Sequence, residues 1–198
     1  MLVEQAFGVP ADQVIGGPPW IESQHFDVSA KMSDTQWEEI KGLDYFHRHQ
    51  SINLMLQSLL KDRFRLLISH RPKELTVYAL IQARGGAKLR TPGESEAPKP
   101  PDTSDRTFLM GMDQKDIPIT TLANFLSGHF RRTVLDRTGL TGNYDIKLEV
   151  GTPTDNSPDE ADSAIFRALE DQLGLKLVSR KEVVDTIMIE HLEQPSAN

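Results

Sequence analysis

Cysteine is absent from the 198-residue sequence, so the chain has no disulfide, no thiolate metal site and no cysteine nucleophile. Long apolar runs are absent too, and no stretch approaches the roughly 18 residues of a membrane-spanning helix. We therefore predict no membrane span in this sequence. The first residues, MLVEQAFGVP, lack the basic and apolar regions of a secretory signal. If the protein is exported, we expect the signal upstream of Met1.

Positive charge is scarce, with 22 basic against 29 acidic residues and a net charge of -7. A protein that binds nucleic acid needs a clustered basic face. The densest basic run, KDRFRLLISHRPK, instead alternates with apolar residues, as expected for the solvated side of a strand. The composition therefore argues against nucleic-acid binding.

Catalytic and cofactor motifs are also missing. The sequence contains neither a G-x-S-x-G nucleophile elbow nor an H-E-x-x-H zinc motif. The RGGAKL stretch lacks the length and the Lys-Ser/Thr ending of a phosphate-binding loop. We predict no cofactor and no catalytic residue.

Two helices share one apolar spacing, at i, i+3, i+4, i+7 and i+8, which predicts an amphipathic helix. The first set is Ile52, Met55, Leu56, Leu59 and Leu60, and the second is Ile165, Ala168, Leu169, Gln172 and Leu173.

The segments after these helices also correspond. Alternating apolar residues follow each helix and predict a strand: Phe64, Leu66 and Ile68 in one copy, Leu175 and Leu177 in the other. A polar turn, SHRPKE or SRKE, and a second strand are predicted next. Upstream, PPWIESQHFDVSAKM corresponds to TGLTGNYDIKLEV, so Phe26-Asp27-Val28 is expected to open a strand as Tyr144-Asp145-Ile146 does.

Two further elements are predicted in the second copy. Tyr144, Ile146, Leu148 and Val150 alternate with polar residues, which predicts a strand with one solvated face. PITTLANFLSGHF is predicted to form a helix, with Pro118 in its first turn and Gly128 at its end.

These correspondences predict an α+β protein of two pseudo-repeats, each with helices packed on small mixed or antiparallel sheets. The first repeat covers residues 1–83 and the second residues 105–198, and the Pro- and Gly-rich residues 84–104 form a mobile loop between them. The strand RTFLMGM opens the second repeat, and we expect the matching strand of the first to precede Met1.

Asp136 lies in VLDRTGL, which resembles the phosphorylated-aspartate loop of P-type ATPases. That chemistry needs a Lys after the nucleophile, where this chain has Arg137, and a separate nucleotide-binding domain. The equivalent stretch of the first repeat, VIGGPPW, has no carboxylate. We interpret Asp136 as a turn residue.

One candidate metal site is formed by Asp44, His47 and His49. Asp44 and His47 are three residues apart and would share a helix face, whereas His47 and His49 diverge on a helix. A solvated helix junction explains the same residues.

Four aromatic residues, Trp20, Trp37, Tyr45 and Phe46, are candidates for an apolar binding groove in the first repeat. Core packing is the competing interpretation, because Trp and Tyr commonly anchor small sheets. An exposed member of the set would mark a binding surface.

The chain also resembles a known family. The segments that carry the resemblance are GGPPW, FDVSAK, MLQSLLKDRFRLLISHRPKELTVYALI, GGAKL, LANFLS, VLDRTGLTGNYDIKLE and ALEDQLGLKLVSRKEVVDTIMIEHLEQPSAN. Together they are similar to the soil-associated protein family, a domain of unknown function from soil bacteria that is also found attached to BlaR-type membrane metallopeptidases. Members are typically exported, so the resemblance implies an extracytoplasmic location and supplies no catalytic residue.

The second repeat contains IPITTLANFLSGHFRRTVLDRTGLTGNYDIKLEV, followed by a helix, LGLKLV and a final strand. This part alone resembles the secretin and TonB short N-terminal domain, in which two helices pack on short strands and mediate protein contacts. We therefore expect a non-catalytic extracytoplasmic interaction or sensing module, whose partner is another envelope protein or a small ligand. The alternative is a metal-dependent hydrolase that uses Asp44, His47 and His49.

Overall fold

The computed structural model describes residues 2–43, 45–93, 108–151 and 158–195. In chain order, the helices and strands of these ranges are α1 (Leu2–Phe7), β1 (Val14–Gly16), α2 (Trp20–Ser23), α3 (Asp34–Ile40), α4 (Tyr45–Phe64), β2 (Leu67–Gln82), β3 (Phe108–Pro118), α5 (Ile119–Phe130), β4 (Val134–Asp136), β5 (Asn143–Gly151), α6 (Pro158–Ala168) and β6 (Leu175–His191). A 3₁₀ turn covers Ala11–Gln13 and a π-helical turn Leu169–Leu173. The predicted α+β class is confirmed. No helix in the described ranges is long and apolar enough to span a membrane.

The chain divides into two compact units, and each boundary falls within a long strand. Unit 1 comprises residues 1–75 and 183–198, and unit 2 comprises residues 76–182. Of the predicted linker, residues 84–104, the structure describes residues 84–93, all within unit 2. The internal repeat itself stays a prediction.

Unit 1 is built on α4, whose apolar stripe is correctly predicted from its helical spacing. Leu60 and Phe64 of this helix are buried in one cluster with Val3 and Ala6 of α1 and with Ile189 of β6. In the sheet of this unit, β6 lies between β1 and β2 and pairs in parallel with β1. Helix and sheet thus share one core.

The end of α4 differs from the prediction. The sequence pattern predicts that Phe64 begins a strand, but it is the last residue of the helix. Arg65 then adopts a left-handed φ of 52°, which stops the helix, and the strand begins at Leu67. The buried side chain of Phe64 therefore belongs to the helical stripe.

The two polar stretches predicted as turns are parts of continuous strands, so this prediction is wrong. SHRPKE lies within β2 and SRKE within β6. In unit 1 the side chains of β2 bond across to β6: Ser69 Oγ donates to Glu190 Oε1 at 2.5 Å and Arg71 Nη2 donates to the same oxygen at 2.9 Å. His70 Nδ1 lies 2.6 Å from Asp185 Oδ2. Cross-strand partners explain why a polar sequence stays extended here.

The carboxylate of Glu190 is stabilised in its charged form by these contacts. The hydrogen bond from Ser69, followed by that from Arg71, lowers the pKa of Glu190 from its ordinary value of 4.5. Arg71 and Asp185 of this strand pair are exposed, whereas Thr186 is buried and its hydroxyl donates to the Arg71 carbonyl at 2.7 Å.

Unit 2 contains a parallel pair, β2 with β4, and an antiparallel pair, β3 with β5. Helices α5 and α6 are both predicted and are confirmed, although α5 continues through Gly128 to Phe130 and ends at Arg131, which has a left-handed φ. The predicted alternation of β5 also holds. The fully buried side chains of this core include Leu80, Leu122, Leu126, Ile146, Leu148, Ile165, Leu169 and Leu175.

The chain after β2 packs onto Gly174, the residue that ends the π-helical turn. Ala83 N–H donates to the Gly174 carbonyl at 2.9 Å, and Lys88 N–H donates to the Leu173 carbonyl at 2.8 Å. Gly174 has a φ of 63°, and a Cβ at this position would overlap the backbone carbonyl of Gly86. The absence of a side chain at Gly174 therefore allows this close approach.

Candidate functional site

Unit 1 contains a stretch without regular structure, residues 25–32, which we call the strap. It is fixed at both ends. Gln24 N–H donates to the Trp20 carbonyl at 2.8 Å, and the Gln24 side chain accepts a hydrogen bond from Gln194 Nε2 at 2.7 Å. At the other end Ser33 begins α3 with a capping box completed by Gln36. The strap therefore has defined end points.

The backbone of the strap is left unpaired. Within the part of the chain that the structure describes, no backbone–backbone hydrogen bond involves residues 25–32. Their side chains are exposed, except that Met32 is half-buried. Backbone N–H and C=O groups need partners, so water or a bound molecule must supply them here.

The sequence predicts a strand at Phe26-Asp27-Val28, and the structure forms none. The alternation that suggests the strand is real: Phe26, Val28 and Ala30 alternate with polar residues. A strand also requires a hydrogen-bonded neighbour, and this segment has none among the described residues. The local pattern is typical of a strand, but the second strand is missing.

A groove of about 450 Å³ lies along the strap. Residues 26–31 line it together with Leu59, Arg63 and Phe64 of α4, and Pro195 contributes to the same lining. Its apolar part comes from both the strap and the helix. Lys31 and Arg63 bring two positive charges to the lining and Asp27 brings one negative charge, so a ligand with apolar and acidic groups would suit it.

Phe26 connects the strap to the core of unit 1. Its ring lies edge-on to Trp20, with centroids 5.8 Å apart, and edge-on to Phe64 at 6.1 Å. Such edge-to-face pairs are favourable for aromatic rings. Phe26 is nevertheless 41% exposed, and Val28 is 46% exposed. Two large apolar side chains on one short segment therefore remain open to a partner.

The four predicted groove aromatics are placed differently from one another. Trp20 is half-buried in the core cluster of unit 1 and contacts Phe26, which lines the groove. Trp37 lies on α3 with 48% of its surface exposed. The side chains of Tyr45 and Phe46 lie outside the described residues. A shared groove of all four stays a prediction, and Phe26 and Val28 are the groove residues that it omits.

The predicted metal ligands are described only in part. His47 and His49 lie on α4 with exposed side chains, and positions two apart on a helix point about 200° apart. Asp44 lies outside the described residues. Within the ranges that the structure describes, no group of three His, Asp or Glu side chains is placed to hold a metal ion. The metal site stays a prediction.

Asp136 has the contacts of a turn residue. Its Oδ1 accepts hydrogen bonds from the backbone N–H of Thr138 at 2.9 Å and from Thr138 Oγ1 at 2.8 Å. The Thr138 hydroxyl in turn accepts from Leu140 N–H at 3.1 Å. This pattern organises the exit from β4 and supports the structural interpretation of the VLDRTGL stretch.

Comparison with known proteins identifies a family for the chain but no activity. A family model described as "Protein of unknown function (DUF3738)" matches residues 1–192, which is nearly the whole sequence. No curated protein and no solved structure matches the chain.

Proposed function

The chain belongs to the DUF3738 family of proteins of unknown function, and we propose that it acts as a non-catalytic extracytoplasmic module that binds another envelope protein through the strap. One observation carries this proposal: Phe26 and Val28 are exposed on a segment whose backbone has no partner among the described residues. Exposed apolar side chains beside unpaired backbone groups are features of sites that bind extended polypeptide.

The chemistry of the groove favours a polypeptide with apolar and acidic side chains. The apolar contacts would form with Phe26, Leu59 and Phe64, and the cations Lys31 and Arg63 would attract carboxylates. Because these charges are solvent-exposed, they would steer and orient a partner more than they would tighten the complex.

The proposed location depends on the resemblance to the soil-associated family, whose members are typically exported. It is tested by fractionating cells that express the full-length gene product with periplasmic and cytoplasmic marker enzymes. Recovery with the periplasmic marker or from the medium is expected, and recovery with the cytoplasmic marker would contradict the location.

A binding experiment tests the role of the strap. The wild-type protein and a Phe26→Ser/Val28→Ser variant are immobilised and exposed to the envelope fraction, and the captured proteins are quantified. The matched control is Leu54→Ser/Val183→Ser, since these residues are 59% and 66% exposed and lie outside the strap.

We expect the strap variant to lose a captured protein that the control retains. In calorimetry, the purified partner should bind the control as tightly as the wild type and the strap variant more weakly. Equal capture by the wild type and both variants would refute the strap as the binding surface. The hydrolase alternative is tested by titrating Zn²⁺ into the wild type and a His47→Ala/His49→Ala variant. A stoichiometric site that the substitutions remove would favour the hydrolase over the binding module.

A further inference from the structure

We propose that the strap pairs with the strap of a second copy of this chain, as two antiparallel strands related by a two-fold axis at Ser29. The inference rests on one part of the proposed function, the role of the strap as a binding segment, and names a second copy of this chain as its partner. It accounts both for the strand-like sequence of the strap and for its missing neighbour.

The strap is suited to add a strand because its ends are already fixed. Gln24 and Ser33, which flank it, both have extended backbone conformations. Residues 25–32 carry neither helix, turn nor bend, so their N–H and C=O groups are available along the segment. Less conformational entropy is lost when a partner binds a segment held at both ends. Unpaired extended backbone is the usual template for strand addition.

Charge complementarity selects the second copy as the partner. In antiparallel pairing centred on Ser29, Asp27 of each copy lies opposite Lys31 of the other, which gives two opposite-charge pairs. Directly opposed side chains lie on the same face of a sheet, with Cβ atoms about 4.5–5.5 Å apart. A two-fold axis repeats every contact, so one sequence supplies both ion pairs.

The apolar residues fit the same register. Phe26 lies opposite Met32 and Val28 lies opposite Ala30, so the apolar face of one strap continues into that of the other. A shift by one residue places Phe26 or Val28 opposite Lys31 and breaks the pattern. A shift by two residues places Asp27 opposite Ser29 or Ser33, and the ion pairs are lost. The register centred on Ser29 is therefore the one that satisfies charge and polarity together.

The test is a charge exchange followed by sedimentation velocity from micromolar to millimolar concentration. Wild-type protein should show a concentration-dependent monomer–dimer equilibrium. Asp27→Lys places two ammonium groups opposite each other, and Lys31→Asp places two carboxylates opposite each other. Each single variant should raise the dimer dissociation constant by roughly tenfold or more, since two attractive cross-strand pairs become repulsive.

Two recombinations should restore association. The double variant Asp27→Lys/Lys31→Asp has complementary charges again and should dimerise like the wild type. An equimolar mixture of the two single variants should form a heterodimer, because one copy then carries both lysines and the other both aspartates. Asp27 and Lys31 are both exposed, and equal thermal unfolding of the variants confirms that the fold is kept.

A cross-link checks the register directly. Because the chain has no cysteine, Ser29→Cys introduces a single thiol that faces its own copy across the axis, whereas Ser23→Cys places it outside the strap. Mild oxidation should link Ser29→Cys into dimers faster than Ser23→Cys. Equal rates would overturn the register.

The self-pairing proposal fails if the wild-type protein is monomeric throughout, or if the charge variants and their mixture associate equally well. A monomeric protein that still loses envelope capture in the Phe26→Ser/Val28→Ser variant would refute self-pairing and leave the proposed function standing. A dimer that follows the charge pattern but captures no envelope protein would support self-pairing and refute an envelope protein as the partner of the strap.

Discussion

Gln172 binds both backbone groups of Glu149: its Nε2 donates to the Glu149 carbonyl at 2.7 Å, and its Oε1 accepts from the Glu149 N–H at 3.0 Å. The side-chain amide thus pairs with β5 as a neighbouring strand would. This explains the one polar residue in the otherwise apolar stripe that ends at Leu173.

Replacing Gln172 by Leu removes both hydrogen bonds at nearly constant volume. We expect the free energy of unfolding to fall by about 1 kcal/mol, since both partners are partly solvated. Urea denaturation measures it, with Asn124→Leu as control because Asn124 is an exposed amide on α5. An equal loss in the two variants would show that an exposed leucine, and not the lost pair, is responsible.

Gly174→Ala should destabilise the protein much more than Gly139→Ala. Both glycines have a left-handed φ, 63° and 71°, but only the Cβ at position 174 would overlap neighbouring backbone. We expect Gly139→Ala to lower the free energy of unfolding by about 1 kcal/mol from backbone strain alone, and Gly174→Ala to lower it by at least twice as much. Thermal denaturation compares the two. Similar losses would mean that the chain around Gly86 shifts without cost.

The pKa of Glu190 predicts a pH-dependent contribution to stability. Because the folded-state pKa lies below the ordinary value of 4.5, the contribution is fully present above that value and is lost as the pH falls through the lowered pKa. Glu190→Gln should therefore flatten the acid limb of a plot of unfolding free energy against pH. Ser69→Ala should do so in part, because its hydrogen bond is the main cause of the shift.

The control for this titration is Ser58→Ala, which removes a serine hydroxyl that donates to the helical carbonyl of Leu54. Its acid limb should match that of the wild type. Parallel acid limbs in the wild type and in Glu190→Gln would show that Glu190 does not contribute to the pH dependence of stability.

Asp136 should tolerate Asn and not Ala. Asn keeps a side-chain oxygen for the two donors on Thr138, whereas Ala removes it, and we expect Asp136→Ala to cost about 1 kcal/mol of unfolding free energy. Chemical denaturation of the two variants measures this. A loss of stability in Asp136→Asn as large as in Asp136→Ala would show that the negative charge is required.

The elements that the sequence predicts well are those whose signal is local. The helical stripe through Leu60 and the alternation of Ile146, Leu148 and Val150 identify the face that each element buries. Periodicity is a property of neighbouring residues, so a single sequence reports it.

The errors concern contacts between distant residues. Ser69 donates a hydrogen bond to Glu190, which is 121 positions away. This contact stabilises an extended conformation in a polar stretch whose composition is typical of a turn. The strap shows the converse, since Phe26-Asp27-Val28 has a strand pattern and lacks a neighbour in the described chain. Whether an extended segment becomes a strand depends on its neighbour, and local sequence does not contain that information.

Unit 1 is formed by two separate stretches of the sequence, and this affects when it can fold during synthesis. Unit 2 is a continuous stretch, residues 76–182, whereas unit 1 also requires residues from 183 onward, including the part of β6 that pairs with β1. A ribosome therefore releases all of unit 2 before unit 1 has its complete sequence. Through that interval Val3, Leu60 and Phe64 lack Ile189, so the core of unit 1 is completed only after Ile189 has been synthesised.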